Sequence, residues 1–244
     1  AIVLPTPAAH YPFDVLENGT TPNAVRDGKP AHLDRHRPEQ LGTVELVASP
    51  HGQALRLDGD GGVWLEQQVN FGRHDPVTLS LWMRPSERNV RAAIVHASGF
   101  HTQDADASGI ELELVDGHVR WSAIHRWPGS AASIQTHAPL ELEQWTHVVA
   151  SYDGSSSASG LRLYVNGALA DTQVVRDHLD GPLAGHALEV GSRSRGMGFR
   201  NGQLDELRVW RRALTQAEVQ LVAGADGIRL EPMSADMRLQ HAVD

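Results

Sequence analysis

No cysteine occurs in this chain, which excludes disulfides and thiolate–metal sites outright. No apolar stretch approaches the ~18 residues needed to cross a bilayer, so no membrane insertion is expected. Clustered Lys and Arg are also missing: 21 basic side chains face 30 acidic ones, a formal net charge of −9. That balance argues against nucleic acid or heparin as the main partner, because both need clustered cations to displace counterions. The 14 histidines are scattered. No Ser-His-Asp set, phosphate-binding glycine loop or nucleotide fingerprint stands in a convincing context. Strands do not alternate with long helices, which argues against a parallel α/β sheet. The chain begins at Ala1 rather than Met, and Ala1–Leu4 lacks the length and basic flank of a signal peptide. A processed protein, or a segment of a larger one, is therefore expected.

What the sequence does contain is alternation broken by turn residues. Ile110, Leu112 and Leu114 alternate with Glu111 and Glu113, predicting a strand with one buried and one wet face. Asp116-Gly117 then turns the chain into Val119–Ala123, and Asn166-Gly167 ends a second strand, Leu161–Val165. Both dipeptides suit a type I′ hairpin turn, which needs two residues that accept positive φ. Further strands are expected at Ala54–Leu57, Val63–Glu66, Ala92–Ala97 and Leu188–Gly191. Many short strands at turn-rich intervals predict an all-β, antiparallel two-sheet sandwich, and 244 residues fit one such domain. One helix is expected, from Thr215 to about Ala223, opened by the capping box Thr215-Gln216-Ala217-Glu218. Glu17–Pro50, rich in Pro, Gly and charge, reads as irregular chain along a sheet edge, and 231–244 reads as a tail or linker after a domain spanning 1–230.

Gln144-Trp145-Thr146-His147-Val148-Val149-Ala150-Ser151-Tyr152-Asp153-Gly154, followed by Leu161–Gly167, resembles the LamG-like jelly roll of the concanavalin A-like lectin/glucanase superfamily. Three more segments resemble it in order: Ala9–Asp14 as opening strand, Val77–Pro85 as early core strand, and Gly202–Trp210 with Arg212–Thr215 as closing strand and short helix. The resemblance covers about Ala8 to Leu230. His125–Gly129, Gln144–His147, Asp153–Ser156 and Arg176–Leu179 are also similar to modules inserted in large secreted bacterial proteins that carry cytochrome c-like segments. With no Cys-x-x-Cys-His here, any haem would belong to the parent protein.

The resemblance implies a structural Ca²⁺, held by oxygens from the first and last strands and an intervening loop. The matching positions are Asp14, Asp205 and carbonyls near Asp58 and Gly59. Calcium takes six to eight hard oxygen ligands; the other reading is that these acids cap turns or face water. A second acidic loop, Asp104-Ala105-Asp106, lacks the rest of a calcium-loop pattern and is expected to be solvated. His32 and His36 have helical metal spacing, but Pro30 and Pro38 argue against a helix and for surface histidines. The family's glucanases carry a Glu-x-Asp-x-Glu-like strand. This chain has Glu111-Leu112-Glu113-Leu114-Val115, so the third acid is missing, and no catalytic residue is assigned.

Ligand contacts are expected instead at His125, Arg126 and Trp127, where Pro128-Gly129 place the Trp in a loop, and at Arg193, Arg195 and Arg200. An indole offers a face to sugar C–H groups, and guanidinium forks grip carboxylates or sulfates. Trp82, Trp121, Trp145 and Trp210 lie in strands and are expected to pack. These readings converge on a non-catalytic recognition module, binding glycan or protein within a larger extracytoplasmic protein. A glycoside hydrolase using Glu111 and Glu113 and a purely structural spacer remain as alternatives.

Overall fold

A computed structural model describes residues 3–33, 43–66, 71–97, 108–184, 187–193 and 197–227 of the chain. The early strands are β1 (Ala9–Tyr11), β2 (Thr20–Thr21), β3 (Ala31–Leu33), β4 (Val44–Ser49), β5 (Gly52–Asp58) and β6 (Val63–Leu65). They are followed by β7 (Val77–Pro85), β8 (Arg91–His96), β9 (Gly109–Val115), β10 (His118–Arg126), β11 (Ser130–Pro139) and β12 (Thr146–Tyr152). The last are β13 (Leu161–Val165), β14 (Ala168–Leu169), β15 (Thr172–His178), β16 (Glu189–Val190) and β17 (Arg200–Trp210), before helix α1 (Gln216–Ala225).

The strands form two antiparallel sheets. The first runs β14-β13-β12-β7-β17-β5-β4, with β1 also paired to β17; the second runs β15-β11-β10-β9-β8-β16-β6-β3-β2. Between them Leu79, Leu81, Met83, Val148, Ala150 and Tyr152 of the first sheet meet Ile110, Leu112, Leu114, Val119 and Trp121 of the second in one core. Trp121 also ties the sheets together, its indole N–H donating to the Ser151 carbonyl at 3.0 Å. A smaller core lies on the other side of the first sheet, where Val149, Tyr164 and Trp210 receive Leu214, Val219 and Val222. β12 therefore buries both faces, which is why it lacks a clean alternation.

Local chemistry sets the turns as expected. Asp116-Gly117 and Asn166-Gly167 all have positive φ, the I′ geometry. The Thr215 side chain accepts from Glu218 N–H, and Glu218 accepts from Thr215 N–H at 2.9 Å, completing the capping box. Thr215→Ala should therefore cost about 1 kcal/mol, read as a lower denaturation midpoint with unchanged slope.

Other elements differ from the sequence reading. The Glu17–Pro50 stretch contains β2, β3 and β4, with β2 and β4 ending the two sheets. Edge strands bury one side and pair once, so their pattern is weak. Trp145, just ahead of β12, is half-exposed, while Trp121 and Trp210 are fully buried. In β17, Leu204, Leu207 and Val209 all reach the core, which strict alternation forbids. A register break between Asp205 and Arg208, with Glu206 at φ 55°, supplies the extra residue. Residues 231–244 lie outside the described residues.

Candidate functional site on the outer face of the second sheet

Because Ile110, Leu112 and Leu114 enter the core, Glu111 and Glu113 project from the opposite side of β9. Cross-strand partners share a face, so the register extends this position across the sheet: Trp64, Glu189, His96, Glu111, Ser122, Ser133 and Arg176 stand in one row. A second row carries Glu113, Arg120 and Gln135.

Glu111 and Glu113 were expected to be wet, and this is corrected: they are 1 % and 3 % exposed. Arginines from three separate segments cover them. Arg91 Nε meets Glu113 at 2.6 Å and its Nη2 meets Glu111 at 3.5 Å. Arg120 lies 3.5 Å from Glu113, and Arg193 contacts Glu111 directly. Arg120 also donates to Gln135 Oε1 at 2.9 and 2.7 Å. Burial, reinforced by Arg91 and Arg176 nearby, lowers the Arg120 guanidinium below its ordinary value although Glu113 opposes the shift. Beside this cluster, His96 Nε2 stands 2.9 Å from the Ser192 carbonyl and 3.7 Å from Glu189. A glycosidase pair needs one carboxyl that protonates a leaving oxygen and another that meets the sugar or its water. These carboxylates meet arginines instead.

Trp127 occupies the turn between β10 and β11, closed by the Arg126–Ser130 pairing. Its ring is half-exposed, with the guanidinium carbons of Arg120 and Arg176 5.8 and 5.6 Å from its centroid. That is cation–π range but beyond direct stacking contact, about 3.5–4 Å between carbons. The turn is anchored on both flanks: His125 Nδ1 lies 2.7 Å from the Pro182 carbonyl, and the Ser130 hydroxyl donates to Asp180. Arg126 is exposed.

The expected ligand residues thus divide. His125, Arg126 and Trp127 share one turn, while Arg193 shares the sheet's outer face but is engaged with Glu111. Arg200 lies elsewhere, opening β17 opposite Asp58 in the first sheet. Arg195, His36, Asp104 and Asp106 fall outside the described residues. Sequence reasoning named Arg120 only as part of a strand and Arg176 only within the Arg176–Leu179 resemblance, assigned neither to a site, and passed over Arg91. The only local signal was Arg120, the polar position between Val119 and Trp121. His32, half-buried on β3, bonds Glu66 at 2.9 Å and stacks on Trp64 with ring centroids 4.8 Å apart.

The four calcium positions are not brought together. Asp58 ends β5, where it accepts from Thr43 N–H at 2.5 Å, Asp60 N–H at 3.0 Å and Gly61 N–H at 2.9 Å, with Gly59 in the same loop. Asp14 and Asp205 sit by the other end of that strand. Asp14 accepts from Gln53 N–H at 2.9 Å and packs against Gly52, whose hairpin partner Ser49 donates to Asp205 at 2.5 Å. Among the described residues no group of three or more His, Cys, Asp or Glu converges as a metal site. Asp205 is fully buried, and burial, with Glu206 and Asp14 adding to it, pushes its carboxyl up to about 7.

Comparison with known proteins matches residues 57–220 to the Laminin_G_3 family, described as the concanavalin A-like lectin/glucanases superfamily. Human adhesion G-protein coupled receptor D1 is 30% identical over 131 residues, 51% of this chain and 13% of the receptor. The chain therefore spans a small fraction of that relative's length. Among solved structures, the binding domain of botulinum neurotoxin serotype G superposes with a TM-score of 0.65 at 12% identity, covering 91% of this chain and 51% of that one. Domain 4 of AbnA, a GH43 extracellular arabinanase from Geobacillus stearothermophilus in complex with arabinotriose, superposes with a TM-score of 0.60 at 21% identity, covering 89% of this chain and 98% of that domain. At these identities the structures show shared fold.

Proposed function

The chain belongs to the concanavalin A-like lectin/glucanases superfamily, and on that footing we propose that it is a non-catalytic module that binds glycan within a larger extracytoplasmic protein. The observation that carries this reading is Trp127: an indole held half-open in an anchored turn, with guanidinium donors beside it. Sugar recognition combines an apolar plate for C–H faces with directed donors for hydroxyls. The arabinanase domain with arabinotriose supports the glycan class, since it shares the fold over almost its whole length. Among the described residues no helix is long and apolar enough to cross a membrane.

Calcium is part of the proposal, at Asp14 and Asp205. The buried Asp205 carboxylate, with Asp14 and the Ser49 hydroxyl near it, would supply part of the six to eight hard oxygens that Ca²⁺ takes, the rest falling to backbone carbonyls or water. When bound, the ion would neutralise both acids and join the hairpin of β4 and β5 to the chain after β1 and to β17.

Affinity electrophoresis in soluble polysaccharides tests the binding reading. Trp127→Ala should fold normally and lose about tenfold in affinity, roughly 1.4 kcal/mol. Equal affinity in both proteins would remove Trp127 from the site. A parallel assay for reducing ends should give no turnover, and turnover abolished by Glu111→Gln and by Glu113→Gln would restore the hydrolase.

A further inference from the structure

Charge is distributed unevenly around the Trp127 turn. Arg120 is matched by Glu113 and Gln135, but Arg176 has no carboxylate within salt-bridge distance among the described residues. Its Nη1 donates to the carbonyl of its own neighbour, Val175, at 2.8 Å, and the side chain is exposed. The acids next to it on the sheet's edge are otherwise engaged. Asp177 faces the opposite side and caps Ala158 N–H at 2.7 Å and the Ser157 hydroxyl at 3.1 Å. Asp180 holds Ser130 and lies 3.3 Å from His178. Arg126, exposed and likewise without a carboxylate in range among the described residues, adjoins Trp127 in the chain. An acidic protein thus keeps unneutralised guanidinium groups beside its half-open indole. A guanidinium presents paired N–H donors whose spacing matches a carboxylate or sulfate.

We propose that the Trp127 surface selects acidic glycans, the sugar ring lying against Trp127 while its carboxylate or sulfate meets Arg176. This rests on the glycan-binding reading and narrows it to a ligand class. Neutral sugars offer hydroxyls, which a hydrated guanidinium gains little by exchanging for water; an anion gains a charge-assisted pair. The chain's overall negative charge repels anions at long range, so recognition must be local and must weaken as salt screens it.

The experiment is a printed array of neutral, carboxylated and sulfated glycans, probed with wild type, Arg176→Gln, Arg176→Lys and Trp127→Ala at two salt concentrations. Wild type should favour acidic glycans, with signals that fall at high salt. Arg176→Gln should lose about tenfold on acidic glycans and nothing on neutral ones, while Arg176→Lys keeps charge and recovers part of the loss. Preference for carboxylated or for sulfated spots identifies which anion is read. Signals confined to neutral glycans, or an Arg176→Gln profile identical to wild type, would overturn the acidic class and leave glycan binding intact. Absence of any signal above Trp127→Ala would overturn the glycan reading and this inference with it.

Discussion

Between pH 4 and 6.5 the unfolding free energy of metal-free Asp205→Asn should climb by about 3 kcal/mol more than that of the wild type. Two buried groups oppose one another. Asp205 has a folded pKa of about 7 against an ordinary 3.8. Its folded state therefore holds a proton that the unfolded chain releases, and stability falls as pH rises through that interval. His147 shifts the other way, to about 4 from 6.5, mainly because burial disfavours the imidazolium. Here the unfolded chain holds the extra proton, so stability rises over pH 4 to 6.5. At about 1.4 kcal/mol per pH unit the two slopes cancel over the shared window. Asparagine removes the Asp205 contribution while keeping an oxygen for Glu206 N–H, 2.8 Å away, and an amide for Ser49. Urea unfolding in chelator at several pH values decides the matter, and parallel profiles for variant and wild type would refute it. Calcium supplies a second arm. At pH 8, a hundredfold excess over Kd should stabilise wild type by about 2.7 kcal/mol and Asp205→Asn hardly at all.

Trp121→Ala should cost about 3–5 kcal/mol, the range for deleting a large core aromatic. The side chain is fully buried and bridges the sheets through Ser151, so truncation opens a cavity and removes an inter-sheet hydrogen bond. Trp127→Ala, in a half-exposed turn, should change stability far less. Denaturant midpoints for the two variants provide the check. Similar losses would make Trp127 a packing residue and take away the basis of the proposed site.

Much of the fold was legible because it is written in short-range chemistry. Asn166-Gly167 and Asp116-Gly117 specify tight hairpins through their tolerance of positive φ, and Thr215 with Glu218 specifies a helix start through its own hydrogen bonds. The alternation of Ile110, Leu112 and Leu114 with acids correctly separated two faces. Trp127 was placed in a loop by Pro128 and Gly129, and the turn between β10 and β11 is where it stands.

What alternation could not say is whether the polar face of β9 meets water. The answer depends on Arg91, Arg120 and Arg193, which strand pairing and a distant loop carry over Glu111 and Glu113. Likewise Asp14 and Asp58 looked equivalent in sequence, but β5 holds their neighbourhoods apart at its two ends, while the β4–β5 hairpin brings Ser49 and Gly52 beside Asp205 and Asp14. By itself, then, the sequence determined the central strands, their tight Asp-Gly and Asn-Gly hairpins and the apolar side of β9, because those follow from neighbours a few residues apart, while β2, β3 and β4 carried no such pattern. The tertiary structure alone decided which polar side chains are buried, which charges are matched and which guanidinium near Trp127 has no carboxylate beside it among the described residues, because each depends on register between strands far apart in the chain.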